Sequence, residues 1–197
     1  MSQNTGWDLL DASHEALRTT VGNVPAEAWG RPTPCSQWNV TQVLQHAAGD
    51  QIGYAAFLTG EPGPDENPFA PSGTLAGEPL AVVENAIERS AKAWAGVDRQ
   101  AAEVSVPMPP NKMTPALGAG ACALDAAVHA WDIAVATGQP SPLTPELAAG
   151  LLPVARQTAE IVRGFAYADA LEPQPGDDEV AQLLRYLGRD PHWTPTA

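Results

Sequence analysis

An aspartate and a histidine, Asp125 and His129, stand four residues apart in the alanine-rich range 121–132. Apolar side chains recur at helical spacing here, so we expect a helix with one apolar face. Asp125 and His129 would lie beside that face, roughly 6 Å apart at Cβ. A carboxylate and an imidazole so close to a core must be paired, hydrogen-bonded or bound to a ligand. The chemistry of the chain therefore depends on what these two side chains bind.

A second histidine, His46, is predicted on an earlier helix, one turn before Asp50. Because neighbouring helices in a bundle lie roughly 8–10 Å apart, ligands on facing helices can meet at one point. Two imidazoles and one carboxylate suit a divalent transition metal and leave positions open for water or substrate. The residues alone leave two other interpretations open: a buried hydrogen-bonded trio, or an Asp125–His129 pair that only stiffens its helix.

Four further side chains could take part in chemistry. His14 lies on an apolar helix seam, where a core residue with one satisfied nitrogen is favoured over a ligand or a proton relay. For Cys35 and Cys122, the role of a small buried apolar side chain is favoured over that of a nucleophilic thiolate. Asp132 could orient the imidazole of His129, or it could cap or salt-bridge at the surface, and both interpretations stay open.

Helices must position these side chains, and the hydrophobic periodicity predicts six of them. Their approximate ranges are 4–21, 40–59, 79–97, 114–137, 144–168 and 177–187. Glycine and then proline close the second and fourth helices, and a Thr-Pro pair opens the fifth. Residues 61–78 are predicted to form a long surface connection that could cover a site. Residues 103–110 are extended and, given their prolines, form a short edge strand at best.

The composition favours a globular helical protein. The chain is 44% hydrophobic and 17% charged, and it is rich in alanine with only three Phe and three Tyr. Such a composition suits closely packed helices better than aromatic and β-branched strands. There is no repeat and no domain linker in the pattern. The sequence therefore predicts an all-α fold in a single domain over residues 1–197.

The formal net charge of −13 argues against a nucleic-acid partner and against binding to an anionic membrane, since both need a basic surface. No stretch is predicted to span a membrane, and the first residues lack the pattern of a secretory signal. Two cysteines make no disulfide framework. We therefore expect a cytoplasmic protein with reduced thiols.

Four motifs carry a resemblance to a known family. They are Thr33-Pro34-Cys35-Ser36-Gln37-Trp38, Val43-Leu44-Gln45-His46, Val128-His129-Ala130-Trp131-Asp132-Ile133-Ala134 and Leu187-Gly188-Arg189-Asp190-Pro191-His192-Trp193. With them the chain resembles the DinB/YfiT-like metal-binding proteins, and more narrowly a branch related to the N-terminal domain of mycothiol-dependent maleylpyruvate isomerase. The resemblance implies an up-down four-helix bundle with additional C-terminal helices. It also implies a divalent metal at one end of the bundle, held by His46, Asp125 and His129.

Two departures from the family pattern concern the reaction. The related isomerase has a glutamate at the acidic ligand position, where this chain has the shorter Asp125, and this could change the metal affinity or the choice of metal. The chain also ends soon after the sixth predicted helix, so we do not expect the separate C-terminal domain that helps to build the active site of the isomerase. This departure counts against the isomerase reaction itself.

The function that the resemblance implies is metal-dependent thiol chemistry, by a transferase or an isomerase in which the metal lowers the pKa of a small thiol or a water. Mycothiol would be the thiol, an unidentified electrophile its partner, and Zn, Ni, Mn or Fe the metal. The alternatives are a metal-binding sensor or scaffold without catalysis, and an interaction module with a structural trio. The resemblance also suggests a homodimer, because relatives often pair and Trp29, Trp38 or Trp193 could form the contact, although packing of these rings within the chain fits equally.

Overall fold

The computed structural model describes residues 5–195, in which six α-helices and one small sheet are formed. The helices are α1 (Asp8–Gly22), α2 (Val40–Thr59), α3 (Pro79–Ala95), α4 (Pro115–Thr137), α5 (Pro145–Val162) and α6 (Glu179–Tyr186). The strands β1 (Val104–Ser105) and β2 (Lys112–Met113) pair antiparallel. The predicted all-α fold is confirmed, and so is the short strand within 103–110. The predicted start of the first helix at Asn4 lies outside the described residues.

Helices α1 to α4 form the bundle, in which α1 and α2 each pack against both α3 and α4. Gln51 of α2 bonds Ser90 of α3, and Tyr54 of α2 lies by Trp94 of α3, so these two helices run in the same direction. A simple up-down bundle would reverse direction between them. Helices α2 and α3 can run in the same direction because the connection 60–78 is long enough to return along the roughly 30 Å of α2.

The two helices that carry the candidate ligands have well-defined ends. At the start of α2, Asn39 and Gln42 form a capping box, each side chain accepting from the backbone N–H of the other residue. At its end, Gly60 takes the left-handed conformation with φ of 76°. The side chain of Thr114 caps α4, and Gly138, also with φ of 76°, ends it. These local signals explain why the predicted ranges of both helices agree with the structure.

Helix α4 is the centre of the molecule, and 20 of its 23 residues are buried. The sequence predicted one apolar face to be buried, and the structure buries the other sides of α4 as well. Small residues make this possible: a Cβ on Gly118 would lie 3.0 Å from the ring of Trp94, and one on Gly120 would lie 2.7 Å from Val154. Contrary to the sequence prediction, α4 is long and apolar enough to span a membrane. However, 94% of its most apolar stretch is buried inside the fold.

The fifth helix ends at Val162, so the predicted extension to residue 168 is wrong. Gly164 takes φ of 80°, in the left-handed region that favours glycine, and its N–H bonds the carbonyl of Tyr167. Arg163 and Tyr167 also form an isolated bridge, which closes the segment 163–167 into a tight loop. This loop brings Phe165 and Tyr167 beside the histidines of α2 and α4. Helix α6 packs on α5, which packs on α4 and α1.

Candidate metal centre

His46 of α2 meets Asp125 and His129 of α4 in the buried space between the two helices. Nε2 of His46 lies 3.5 Å from Oδ1 of Asp125, and Nε2 of His129 lies 3.4 Å from the same oxygen. The imidazole rings meet edge to face with their centroids 4.7 Å apart. All three side chains are buried, with 6 to 9% of each residue exposed. The structure thus brings together the three residues that the sequence predicted as ligands.

The outer nitrogen of each imidazole is held by an oxygen that can only accept. Nδ1 of His46 lies 3.0 Å from the carbonyl oxygen of Pro68, and Nδ1 of His129 lies 2.9 Å from Oδ2 of Asp132. Both Nδ1 atoms therefore donate, and Nε2 is the nitrogen that faces Asp125 in both rings. A hydrogen bond from the second ring nitrogen is the usual way in which proteins orient a metal-binding histidine.

The spacing and chemistry of these donors fit a divalent metal. Ligands arranged tetrahedrally at about 2.1 Å from an ion lie about 3.4 Å from one another, close to the 3.4 and 3.5 Å found here. Oδ2 of Asp125 is buried and has no hydrogen-bond partner among the described residues. An unpaired buried carboxylate oxygen is unfavourable, and a cation at this point would satisfy it.

The site stabilises positive charge next to Asp125. Burial disfavours the charged form of His129, but the charge of Asp125 and the hydrogen bonds that His129 donates to Asp125 and Asp132 raise the pKa of His129 well above its usual value. Burial likewise opposes ionisation of Asp125, but His129 and His46 hold the pKa of its carboxyl well below its usual range. Asp50 has Oδ2 3.8 Å from Nε2 of His46. Its burial and the charge of Asp125 raise the pKa of Asp50 to about 7.

Asp132 is fully buried and forms a second layer behind His129. Arg189 binds both of its oxygens, with Nε 2.9 Å from Oδ1 and Nη2 2.8 Å from Oδ2. Although burial opposes its ionisation, Arg189 and His129 hold the pKa of Asp132 well below its usual range. The interpretation of Asp132 as a surface cap or surface salt bridge is therefore wrong. The sequence prediction missed Arg189, which lies in the C-terminal motif but 57 residues from Asp132.

The two cysteines have different surroundings. Cys35 is partly exposed, and its thiol donates to Oδ2 of Asp132 at 3.2 Å, so it is not the buried apolar side chain that was favoured. Cys122 is fully buried, and burial raises the pKa of its thiol to about 12. It therefore stays protonated and packs in the core, as the sequence predicted.

A buried polar network next to the candidate ligands explains His14. Oε1 of Gln51 accepts from Nε2 of His14 at 2.8 Å, from the hydroxyl of Ser90 at 3.0 Å and from the thiol of Cys122 at 3.0 Å. Burial lowers the pKa of His14 to about 4, against smaller raising effects that include the bond to Gln51. His14 is thus a neutral core residue with a satisfied nitrogen, and the structure does not bring it to the three candidate ligands.

A cavity of about 190 Å³ opens beside the candidate ligands. Tyr54 and Tyr167 line it, and burial raises the pKa of Tyr167 to about 12, so this phenol is neutral at ordinary pH. Phe69 and Phe165 stand at its edge, with ring centroids 5.2 Å apart. A second cavity of about 310 Å³ contains Cys35 and Arg189 in its wall and shares the segment 165–167 with the first. The two cavities are therefore neighbours, and the first of them adjoins the candidate ligands.

The tryptophans proposed for a dimer contact pack within the chain. Trp29, Trp38 and Trp193 are partly buried and lie against a core cluster to which α1, α2, α3 and α4 all contribute. The ring of Trp38 lies 4.7 Å from the imidazole of His46, between centroids. These rings therefore pack within the chain and need no second copy to cover them, and the homodimer stays a prediction.

A family model, two relatives and a solved structure are similar to this chain. Residues 10–134 match the family model described as the mycothiol maleylpyruvate isomerase N-terminal domain. Uncharacterized proteins from two strains of Mycobacterium tuberculosis are 32% identical over 184 residues, which cover 90% of this chain and 93% of each relative. A crystal structure of a mutant mycothiol-dependent maleylpyruvate isomerase is similar in fold, with a TM-score of 0.59 at 16% identity. That similarity covers 84% of this chain and 72% of the isomerase chain.

Proposed function

The chain belongs to the mycothiol maleylpyruvate isomerase N-terminal domain family, and from this premise we propose that it binds a divalent transition metal and uses it in the chemistry of a small thiol. His46, Asp125 and His129 would hold the metal. The observation that carries the proposal is the spacing of their donor atoms, 3.4 and 3.5 Å, with both imidazoles fixed through Nδ1. The unpaired Oδ2 of Asp125 supports it.

A divalent ion such as Zn, Ni, Mn or Fe at these three ligands would supply Lewis acidity, which brings the pKa of a bound thiol or water close to neutral. Pro68 and Asp132 keep the ligand nitrogens of His46 and His129 directed at the site. Asp50 offers a further carboxylate oxygen 3.8 Å from Nε2 of His46, where it can accept the proton that the thiol or water gives up.

The thiol that we propose is mycothiol, because the family and the structurally similar isomerase are both named for it. The reaction is then S-transfer to an electrophile, or an isomerisation in which the thiol adds and leaves. The larger cavity, with Ser36, Gln37 and Arg189 in its wall, offers the polar surface that the body of such a thiol needs. The smaller cavity, beside the candidate ligands, is left for the electrophile.

Elemental analysis of the purified protein tests the first half of the proposal. After incubation with Zn, Ni, Mn or Fe and removal of excess ion, we expect on the order of one metal ion per chain. A content below about a tenth of an ion per chain with all four metals would reject metal binding and leave a structural trio.

A transfer assay tests the second half. Mycothiol and a simple alkyl halide are incubated with the metal-loaded protein, and the thioether product is measured. We expect product formation that a chelator abolishes and that added metal restores. If the protein binds metal but thioether forms no faster than in the reaction without protein, the protein is a metal-binding scaffold or sensor instead of a transferase.

A further inference from the structure

The apolar part of the wall of the smaller cavity comes from four segments of the chain. Phe69 comes from the connection between α2 and α3, and Met108 from the turn after β1. Ala121 lies on α4, one turn before Asp125, and Val162 and Phe165 come from the end of α5 and the loop after it. A guest in this cavity is therefore surrounded by carbon on most sides.

Apart from the candidate ligands His46 and His129, no described side chain in the cavity wall can carry a positive charge to pair an acidic guest. Among the described residues that line it there is no lysine or arginine, and its carboxylates are those of Asp50 and Asp125. The two carboxylates balance the charge of a divalent ion at the candidate site. Arg189, in the wall of the neighbouring cavity, is already paired with both oxygens of Asp132. A carboxylate buried in the smaller cavity would remain without an opposite charge, which is strongly unfavourable.

The edge of the cavity favours an apolar guest as well. Phe69 and Phe165 are 47% and 74% exposed, although both are large apolar side chains, and their rings contact each other. Covering these rings with an apolar guest removes apolar surface from water, which favours binding. The volume of about 190 Å³ sets the size of the guest. An apolar protein cavity of about 150 Å³ holds benzene, so this one takes a single ring with a short substituent.

We infer that the electrophile used by this protein is a small, uncharged, apolar molecule about as large as a substituted benzene ring, and not a carboxylic acid. The inference rests on the proposed function, whose electrophile it specifies. With benzyl chloride as an example, the thiol sulfur forms a bond to the benzylic carbon and the carbon–chlorine bond breaks. Chloride leaves with the electron pair, and the thiol proton is released to solvent.

A pair of unreactive probes tests the inference by binding alone. Toluene and 4-methylbenzoate have the same ring and methyl group and differ by one carboxylate. Each is titrated into metal-loaded protein and followed by ligand-observed NMR, with the metal content measured on the same sample. We expect toluene to bind and 4-methylbenzoate to bind at least about tenfold more weakly. Benzyl chloride should likewise exceed 4-(chloromethyl)benzoate at least about tenfold in kcat/KM with mycothiol.

A variant that fills the cavity locates the binding. Ala166 is exposed and lines the cavity, so Ala166→Phe should abolish toluene binding and leave the metal content unchanged. Ala170→Phe, on the same connection but outside this cavity, is the matched control and should bind toluene like the unmodified protein.

Three results would overturn the inference: 4-methylbenzoate binding within about tenfold of toluene binding, no toluene binding, or unchanged toluene binding by Ala166→Phe. Since toluene binding needs no metal or thiol, these results are distinct from an empty metal site, which would reject the proposed function instead.

Discussion

Nδ1 of His129 lies 2.9 Å from Oδ2 of Asp132, one turn further along α4, and the side chain of Asp132 has no exposed surface. Arg189 binds the same carboxylate from the C-terminal segment. The orientation of a candidate ligand on the central helix thus depends on a residue that follows the last helix. Breaking this chain of contacts affects both the site and the fold, because a buried charge is left unpaired.

Asp132→Asn keeps the size of the side chain but removes its charge. We expect the metal affinity to fall about 10- to 100-fold, as for other changes behind metal-binding histidines, and the free energy of unfolding to fall by about 3 kcal/mol, because Arg189 loses its partner. Competition with a chelator and urea unfolding measure the two effects. Asp65→Asn, at an exposed position, is the control. Equal metal affinities of the two variants would show that Asp132 does not orient His129.

His129→Ala removes one of the three proposed ligands and should reduce the metal content to background. His14→Ala removes another buried imidazole, which bonds Gln51 and not the candidate ligands, and should leave the metal content unchanged. Elemental analysis of both variants, prepared side by side, checks the assignment. Loss of metal from a folded His14→Ala protein would mean that the first-helix histidine has been placed wrongly.

Gly49 lets the connection after α2 approach the helix closely. A Cβ at this position would lie 2.8 Å from Cγ of Pro68, whose carbonyl oxygen accepts from His46. Gly49→Ala should displace Pro68, weaken metal binding and lower the free energy of unfolding by about 1–3 kcal/mol. Gly53→Ala, one turn later with no atom within 4 Å of the new Cβ, should bind metal normally and gain about 0.5–1 kcal/mol. Equal metal affinities and equal free energies of unfolding for the two variants would contradict this role of Gly49.

His14 should make the stability of the metal-free protein depend on pH. Its pKa is about 4 in the folded chain, below the ordinary 6.5, so the unfolded chain binds the proton more tightly. The stabilisation is complete above pH 6.5 and is lost as the pH falls from 6.5 towards 4. Between pH 7.5 and pH 4.5 the loss should be about 2–3 kcal/mol larger than in His14→Gln. Urea unfolding with chelator at both pH values measures it, and equal losses would show that His14 does not titrate.

The features that the sequence predicts well are those with local causes. The ends of α2 and α4 follow from the side-chain caps Asn39 and Thr114 and from Gly60 and Gly138, which lie next to the helices that they limit. The trio itself could be proposed because two of its members are four residues apart on one helix. Asp50 could be recognised in the sequence for the same reason, because it lies one turn after His46 on one helix.

The features that the sequence does not predict depend on distant contacts. No pattern indicates that Arg189 pairs with Asp132, or that the carbonyl of Pro68 holds His46, because both contacts join separate elements. The fifth helix was extended too far because its apolar pattern continues past Val162, whereas Gly164 ends it by a backbone conformation. The all-round burial of α4 depends on neighbours that enter at its glycines, which periodicity cannot show.

The shared acceptor at Gln51 has a consequence for how the protein opens. One oxygen on α2 takes donors from α1, α3 and α4, so none of these helices can separate there without leaving a buried polar group unpaired. Local fluctuations of a single helix are thereby suppressed around this residue. In native-state hydrogen exchange, the amides of the four helices near Gln51 should therefore exchange with one common opening free energy, as a single cooperative unit.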